Sequence, residues 1–294
     1  MELGIIADEV HGSFATACEH IAGWGLPIVE VRNVDGRNVT LLDDAALDAA
    51  VATVRRHGLR VSAVASPVFK SALDERPSDA AADFAVPGLV TVADNLALLE
   101  RACVAARRFD TRLVRVFTFF RMPWSDAVIE QVTRHVAEAA EVARRHDVVL
   151  AIENEPVCVV ATGSELGRFM GLLDALLAAD LRPHVAALWD PGNALGAGEA
   201  SPYPDGYAAL PADRLVHVHL KDLGSEPASF GTFVPLGQGR IDYRGQFRAL
   251  ARDGYRGSVV LEPHYAPAGV APLEAARICV EAARGELQAA GVPA

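Results

Sequence analysis

Strand-like and helix-like segments alternate along the whole chain, and this alternation restricts the fold more than any other feature. Eight short runs rich in Val, Ile and Leu are typical of buried strands, at residues 3–8, 27–33, 59–66, 112–120, 148–154, 184–190, 215–222 and 258–264. Nearly continuous apolar strands separated by helical segments are typical of a parallel sheet covered by helices. We therefore predict an α/β fold, a closed (β/α)8 TIM barrel forming a single domain.

The segments between the strands have helical spacing and helix-end signals. Predicted helices cover residues 13–24, 43–58, 87–109, 125–146, 164–179, 242–254 and 272–290. Ser164 is a capping signal at the start of the fifth helix. Several prolines follow the sixth strand, so any helix there is short. A doubly wound open sheet is the competing arrangement, but no GxGxxG sequence follows the first strand.

Composition limits the class of protein. The 294 residues are 51% hydrophobic and 22% charged, which suits one large core. A net charge of −11 makes nucleic acid a poor partner, because an acidic surface repels a phosphate backbone. We find neither a signal peptide nor an apolar stretch near the ~20 residues of a membrane span, so we expect a cytoplasmic protein with no membrane partner. The four scattered cysteines contain no CxxC pair and are expected to be buried thiols.

Four residues of metal-ligand type follow or end strand-like runs: Glu153, Asp190, His219 and Glu262. In a parallel barrel the carboxyl ends of the strands meet at one mouth, where active sites are built. Three carboxylates and one imidazole there would form a divalent-metal site with hard oxygen character. The alternatives are salt bridges for the two glutamates, a turn at Asp190 and a packed core histidine at His219.

Further polar residues lie next to these positions. The predicted substrate-binding residues are Asn193, His217, Lys221 and His264. Asn193 could instead cap the segment after it, and His217 could lie deeper in the barrel. The loop 235–243 could bring backbone amides to a substrate oxygen, or be an ordinary loop before an aspartate helix cap.

Four basic residues lie near other strand ends, where they could bind an anionic substrate group or form salt bridges. They are Arg32, Lys70, Arg115 and Arg121.

Five motifs together resemble the sugar phosphate isomerase/epimerase family, part of the xylose-isomerase-like barrel superfamily. They are ENEP (153–156), WDPGN (189–193), HVHLKD (217–222), PLGQGRIDY (235–243) and LEPHY (261–265). The resemblance covers roughly residues 1–285, and the order of the motifs along the strands also matches. It implies one xylose-isomerase-like TIM barrel domain spanning residues 1–294.

The resemblance also implies one divalent metal (Mn²⁺, Co²⁺, Zn²⁺ or Mg²⁺), held by Glu153, Asp190, His219 and Glu262. In epimerase members of the family the two glutamates also move protons. Many members carry histidine three residues after the strand-six aspartate, where this chain has Asn193. The implied partner is a small polyhydroxy carbonyl substrate, as in carbohydrate metabolism, and a homo-oligomer is compatible with the sequence.

The function expected from these features is a metal-dependent sugar or cyclitol isomerase/epimerase working through an enediolate, with Glu153 and Glu262 as the acid/base pair. The alternative is a metal-dependent dehydratase of an inosose-like or keto-polyol substrate, because both reactions share their first step. Endonuclease IV-type cleavage would need extra histidines after strands three and four, where the sequence has none. A catalytically silent barrel is a third hypothesis, because a fold does not guarantee activity.

Overall fold

The computed structural model of the chain describes residues 1–73, 88–224 and 232–293. Within them, parallel strands β1 to β8 close into a barrel in which each strand pairs with the next and β8 pairs with β1. The strands are Glu2–Ile6, Ile28–Val31, Arg60–Ala65, Leu113–Val116, Val149–Glu153, Val185–Trp189, Leu215–Leu220 and Ser258–Leu261. The prediction of a (β/α)8 TIM barrel is confirmed.

Helices α1 to α8 connect the strands and cover the barrel. They are Phe14–Gly23, Asp44–Arg56, Val92–Arg108, Asp126–His146, Gly163–Leu176, Pro191–Gly196, Tyr243–Arg252 and Pro272–Ala290. The helix after β6 has six residues, as the prolines beyond it predicted. Two short antiparallel ribbons lie outside the barrel, Asn33–Val34 with Arg37–Asn38 and Asp222–Leu223 with Phe233–Val234.

Several predicted boundaries were wrong by a few residues. Helix α3 begins at Val92, where Thr91 and Asp94 form a capping box; residue 87, its predicted start, lies outside the described residues. The cap of α5 is Thr162 rather than Ser164, because Thr162 accepts a hydrogen bond from the backbone N–H of Glu165. Strand β4 ends at Val116 instead of continuing to residue 120. Three residues later Phe119 has a φ of 63°, which is incompatible with a strand.

The barrel interior is tightly filled. A Cβ on Gly4 of β1 would lie 2.6 Å from Cγ1 of Ile28 on the neighbouring strand, so this position requires glycine. The four cysteines are buried and unpaired, as predicted. Among the described residues, no helix combines the length and apolar character needed to cross a lipid bilayer.

Candidate metal centre

The four predicted ligand residues meet at the carboxyl-terminal mouth of the barrel. Glu153 ends β5, Asp190 follows β6, His219 lies near the end of β7 and Glu262 follows β8. One ligand atom from each residue lies within 4.8 Å of the other three. Glu262 is 5% exposed and the other three are 1% exposed or less. The strand ends therefore meet as expected, and the role of these residues as metal ligands stays a prediction.

The imidazole of His219 lies at the centre of this group. Its Nδ1 lies 3.1 Å from Glu153 Oε1, 3.6 Å from Glu262 Oε2 and 3.9 Å from Asp190 Oδ2. Its other ring nitrogen, Nε2, lies 3.1 Å from Oε2 of Glu30. Burial opposes a charge on His219, but Glu30 and Glu153 outweigh it and hold the pKa of His219 well above its ordinary value. Without a metal, the ring is therefore a cation between carboxylates.

Lys221 supplies a second buried positive charge. Its Nζ donates to Glu262 Oε2 at 2.6 Å and to Asn193 Oδ1 at 3.1 Å, and lies 2.9 Å from Asp190 Oδ2. Burial disfavours the ammonium, but the charges of Asp190 and Glu262 raise the pKa of Lys221 above its ordinary value. The hydroxyl of Tyr243 donates to the backbone carbonyl of Lys221 at 2.6 Å and fixes the chain at this point.

Two carboxylate oxygens in the site have no hydrogen-bond partner among the described residues: Glu153 Oε2 and Asp190 Oδ2. Glu153 Oε2 lies 3.4 Å from the guanidinium of Arg115, beyond ordinary hydrogen-bond length. Asp190 Oδ2 is close to Lys221 but without hydrogen-bond geometry. Buried, unsatisfied carboxylate oxygens are unfavourable, and a divalent cation would satisfy them. Together with the imidazole they form a donor set that fits Mn²⁺, Co²⁺, Zn²⁺ or Mg²⁺.

Asp190 and Asn193 hold the site together at the start of α6. Asp190 Oδ1 accepts the backbone N–H of Asn193 at 2.8 Å and caps the helix, so the turn expected here is present as well. The side-chain amide of Asn193 donates to Glu153 Oε1 at 3.2 Å and to the carbonyl of Asn154 at 2.9 Å. Asn193 therefore orients Glu153, while its predicted contact with substrate stays a prediction.

Glu262 is surrounded by basic side chains. Arg32 donates to Glu262 Oε1 at 2.6 Å, and His264 Nε2 lies 3.6 Å from the same oxygen. Burial would raise the pKa of Glu262, but Lys221, His264 and Arg32 hold it well below its ordinary value. His264 is 34% exposed and lies on the open side of the site, where a substrate could reach it.

The deeper histidine of β7 touches only His219 among the four ligand-type residues, through an edge-on contact between the two rings. His217 is inaccessible to solvent, and its Nε2 lies 2.7 Å from Oε2 of Glu30 on β2. This position agrees with the deeper-lying alternative, and its predicted role in substrate binding stays a prediction. The sequence interpretation missed Glu30, although a lone glutamate inside the apolar run 27–33 is a signal for a buried, partnered charge.

The four basic residues near other strand ends are all paired with carboxylates, as the salt-bridge alternative predicted. The pairs are Arg32 with Asp8 at 2.9 Å, Lys70 with Glu155 at 2.9 Å, Arg115 with Glu153 at 3.4 Å and Arg121 with Glu165 at 2.7 Å.

The glycine-bearing loop 235–243 also serves the protein itself. The backbone N–H groups of Gly237, Gly239 and Arg240 donate to the Asp222 carboxylate at 3.1, 3.0 and 3.1 Å. Asp242 caps α7, which agrees with the ordinary-loop alternative. Asp222 directly follows Lys221 in the chain. By binding the Asp222 carboxylate, the loop therefore helps to fix the backbone next to Lys221.

Comparison with known proteins identifies the family. The family described as xylose isomerase-like TIM barrel matches residues 18–283. An inosose dehydratase of Serratia proteamaculans is 27% identical over 183 residues, which is 58% of each chain. The chain therefore matches somewhat over half the length of this curated relative.

Solved structures show the same fold over nearly the whole chain. The IOLI protein with a binding zinc atom has a TM-score of 0.75 at 15% identity, covering 98% of this chain and 99% of that one. A D-allulose 3-epimerase from Methylomonas sp. has a TM-score of 0.72 at 17% identity, covering 98% of both chains. The chain belongs to the xylose isomerase-like TIM barrel family.

Proposed function

We propose that this protein is a divalent-metal-dependent isomerase or epimerase that acts on a sugar or cyclitol through an enediolate. The observation that carries the proposal is the meeting of Glu153, Asp190, His219 and Glu262, two of which present buried oxygens without a hydrogen bond. When bound, a divalent metal lowers the pKa of the C–H next to the substrate carbonyl and stabilises the enediolate charge. A neighbour in fold that binds zinc and another named as a 3-epimerase support this assignment.

Glu153 and Glu262 are the proposed acid/base pair. Burial opposes ionisation of Glu153, but His219 and Arg115 lower its pKa, and the pKa of Glu262 is lowered further by its own cationic neighbours. Both carboxylates are therefore ionised in the free protein, which is the state a general base needs. One glutamate removes the proton from the carbon beside the carbonyl and becomes protonated. The other takes up a proton from solvent and then delivers it to the enediolate.

Hydrogen bonds around the pair keep the two carboxylates apart and oriented. Asn193 holds Glu153 from the β6 side, while Lys221 and Arg32 each bind a different oxygen of Glu262. We assign substrate hydroxyl contacts to Asn193, Lys221 and the half-buried His264. These groups are hydrogen-bond donors and acceptors of the kind that recognise a polyhydroxy compound.

Dehydration is the second candidate, because a curated relative is an inosose dehydratase. The three possible reactions share the first proton removal and diverge only after it. Return of the proton to the opposite face gives epimerisation, and return to the neighbouring carbon gives aldose–ketose isomerisation. Expulsion of a β-hydroxyl gives dehydration.

Proton exchange tests the proposal. Metal-loaded protein is incubated in D₂O with a panel of ketoses and inososes, and the products are followed by NMR. We expect deuterium at the carbon beside the carbonyl, and the product identifies which of the three reactions occurs. Glu153→Gln protein is the control for adventitious exchange. Absence of exchange with every compound, in protein shown to contain metal, would refute the proposal.

A further inference from the structure

We propose that Glu30 is a positioning residue for the candidate metal centre, because its carboxylate binds Nε2 of His219 and directs Nδ1 toward Glu153. The inference rests on the proposed metal centre. Glu30 contacts none of the predicted ligands except His219 and acts through that ring alone.

The environment of Glu30 is unusual for a glutamate. It lies in β2, between apolar neighbours, and is completely inaccessible to solvent. A carboxylate in the interior is costly unless charged partners compensate it. Its partners are two histidines of β7: Oε2 lies 2.7 Å from His217 Nε2, and both oxygens lie 3.1–3.2 Å from His219 Nε2. Glu30 is therefore specifically paired with the strand that carries a predicted ligand.

The two nitrogens of His219 have different neighbours. Nε2 faces Glu30, and Nδ1 faces Glu153 at 3.1 Å. A neutral imidazole carries one N–H donor and one lone pair. When the proton on Nε2 is held by Glu30, the lone pair is on Nδ1, among the carboxylates that would share a metal. Carboxylates that bind the second nitrogen of a ligand histidine commonly fix its tautomer and orientation in this way.

Without Glu30, Glu153 would become the only carboxylate within hydrogen-bond distance of the His219 ring among the described residues. The ring proton would then favour Nδ1, and the lone pair would point away from the other carboxylates into the barrel. His217 steadies the arrangement, since it shares an oxygen of Glu30 and its ring packs edge-on against His219 with centroids 5.3 Å apart. The tautomer of His219 therefore depends on the contact between Glu30 on β2 and the two histidines of β7.

The test combines metal affinity with a direct reading of the tautomer. Zn²⁺ binding is measured by calorimetry for the wild type, Glu30→Ala and Glu30→Gln. We expect a loss of roughly 10–100-fold in affinity for Glu30→Ala, the size typical of a lost partner to a ligand histidine. The loss should be smaller for Glu30→Gln, whose amide oxygen can still accept the N–H. The matched control is Glu286→Gln, a buried glutamate paired with Arg244, which should keep wild-type affinity.

Histidine ¹⁵N chemical shifts provide the second readout, and they report the tautomer in the wild type as well as in the variant. In Zn²⁺-loaded wild type we expect a protonated Nε2 and a metal-bound Nδ1 at His219, and in Glu30→Ala an increased share of the opposite tautomer. A metal-bound Nε2 in the wild type, or wild-type affinity in folded Glu30→Ala, would overturn the inference while leaving the metal centre intact. Wild-type protein that binds no Zn²⁺ would overturn both. If Glu30→Ala does not fold, the inference is tested by the ¹⁵N shifts of the wild type and by the Zn²⁺ affinity of Glu30→Gln.

Discussion

Replacing Lys221 by methionine should make the stability of this protein depend on divalent metal. The ammonium of Lys221 is 3% exposed and lies within 3 Å of Glu262 Oε2 and Asp190 Oδ2. Methionine keeps most of the side-chain volume but removes the charge. Arg32 still binds the other oxygen of Glu262, whereas Asp190 loses its nearest cation.

The size of the effect follows from the burial of the group. Removing one partner of a buried ion pair typically costs about 3–5 kcal/mol, because the other charge stays behind uncompensated. In a chain of this length about 1 kcal/mol corresponds to roughly 2 °C in Tm, so the metal-free variant should melt roughly 6–10 °C lower. A divalent cation would return positive charge to the same carboxylates. The increase in Tm on adding metal should therefore be larger for Lys221→Met than for the wild type.

The assay is thermal unfolding of both proteins, first with a chelator and then with excess Zn²⁺ or Mn²⁺. The control is Arg121→Met, which breaks a pair with Glu165 at 2.7 Å on a side chain that is 45% exposed. That change should cost no more than about 1 kcal/mol and show no dependence on metal. An equal metal-induced increase in Tm for Lys221→Met and wild type would show that a bound cation does not replace the charge of Lys221. A metal-free variant as stable as the wild type would refute the energetic argument itself.

Three further predictions concern catalysis, pH and substrate class. Glu153→Gln and Glu262→Gln should each lower kcat by about 10²–10⁴-fold in protein that keeps wild-type circular dichroism. Rates that recover fully with excess metal would show that the glutamate is a ligand but not an acid/base catalyst. A wild-type kcat would contradict both the ligand role and the acid/base role. Glu9 is buried, yet its hydrogen bond to His264 and the charges of His264 and Arg32 lower its pKa from 4.5 to about 2. Because this pKa is depressed on folding, ionised Glu9 stabilises the protein by up to about 3 kcal/mol above its unfolded pKa, and the contribution is lost as the pH falls through about 2. Urea unfolding should therefore show Glu9→Gln less stable than wild type at pH 6, with the difference closing toward pH 2; a constant difference would argue against the assignment. Metal-loaded protein should leave DNA with abasic sites intact in a gel assay, since the net charge of −11 disfavours a phosphate backbone; nicking that disappears in Glu153→Ala would contradict this.

Much of the fold could be predicted from local patterns. Apolar runs of strand length, alternating with amphipathic segments, leave few arrangements other than a parallel barrel, and that prediction was confirmed. Because all strands of such a barrel point the same way, residues at their carboxyl ends meet at one mouth. Glu153, Asp190, His219 and Glu262 could therefore be grouped without knowing any distance. Element ends were less accurate, as with Thr162 in place of Ser164, because neighbouring residues can cap a helix equally well.

Only the tertiary structure decided which charges face each other. The pairing of Glu30 with His217 and His219 joins residues 187 and 189 positions apart. Local periodicity shows that such a side chain is buried but carries no information about its partner. The same holds for Lys221, whose position among the carboxylates depends on the register of several strands and on the turn at Asp190. Burial follows from the pattern of a single segment, whereas electrostatic pairing requires the relative positions of many, and these are set when the barrel closes.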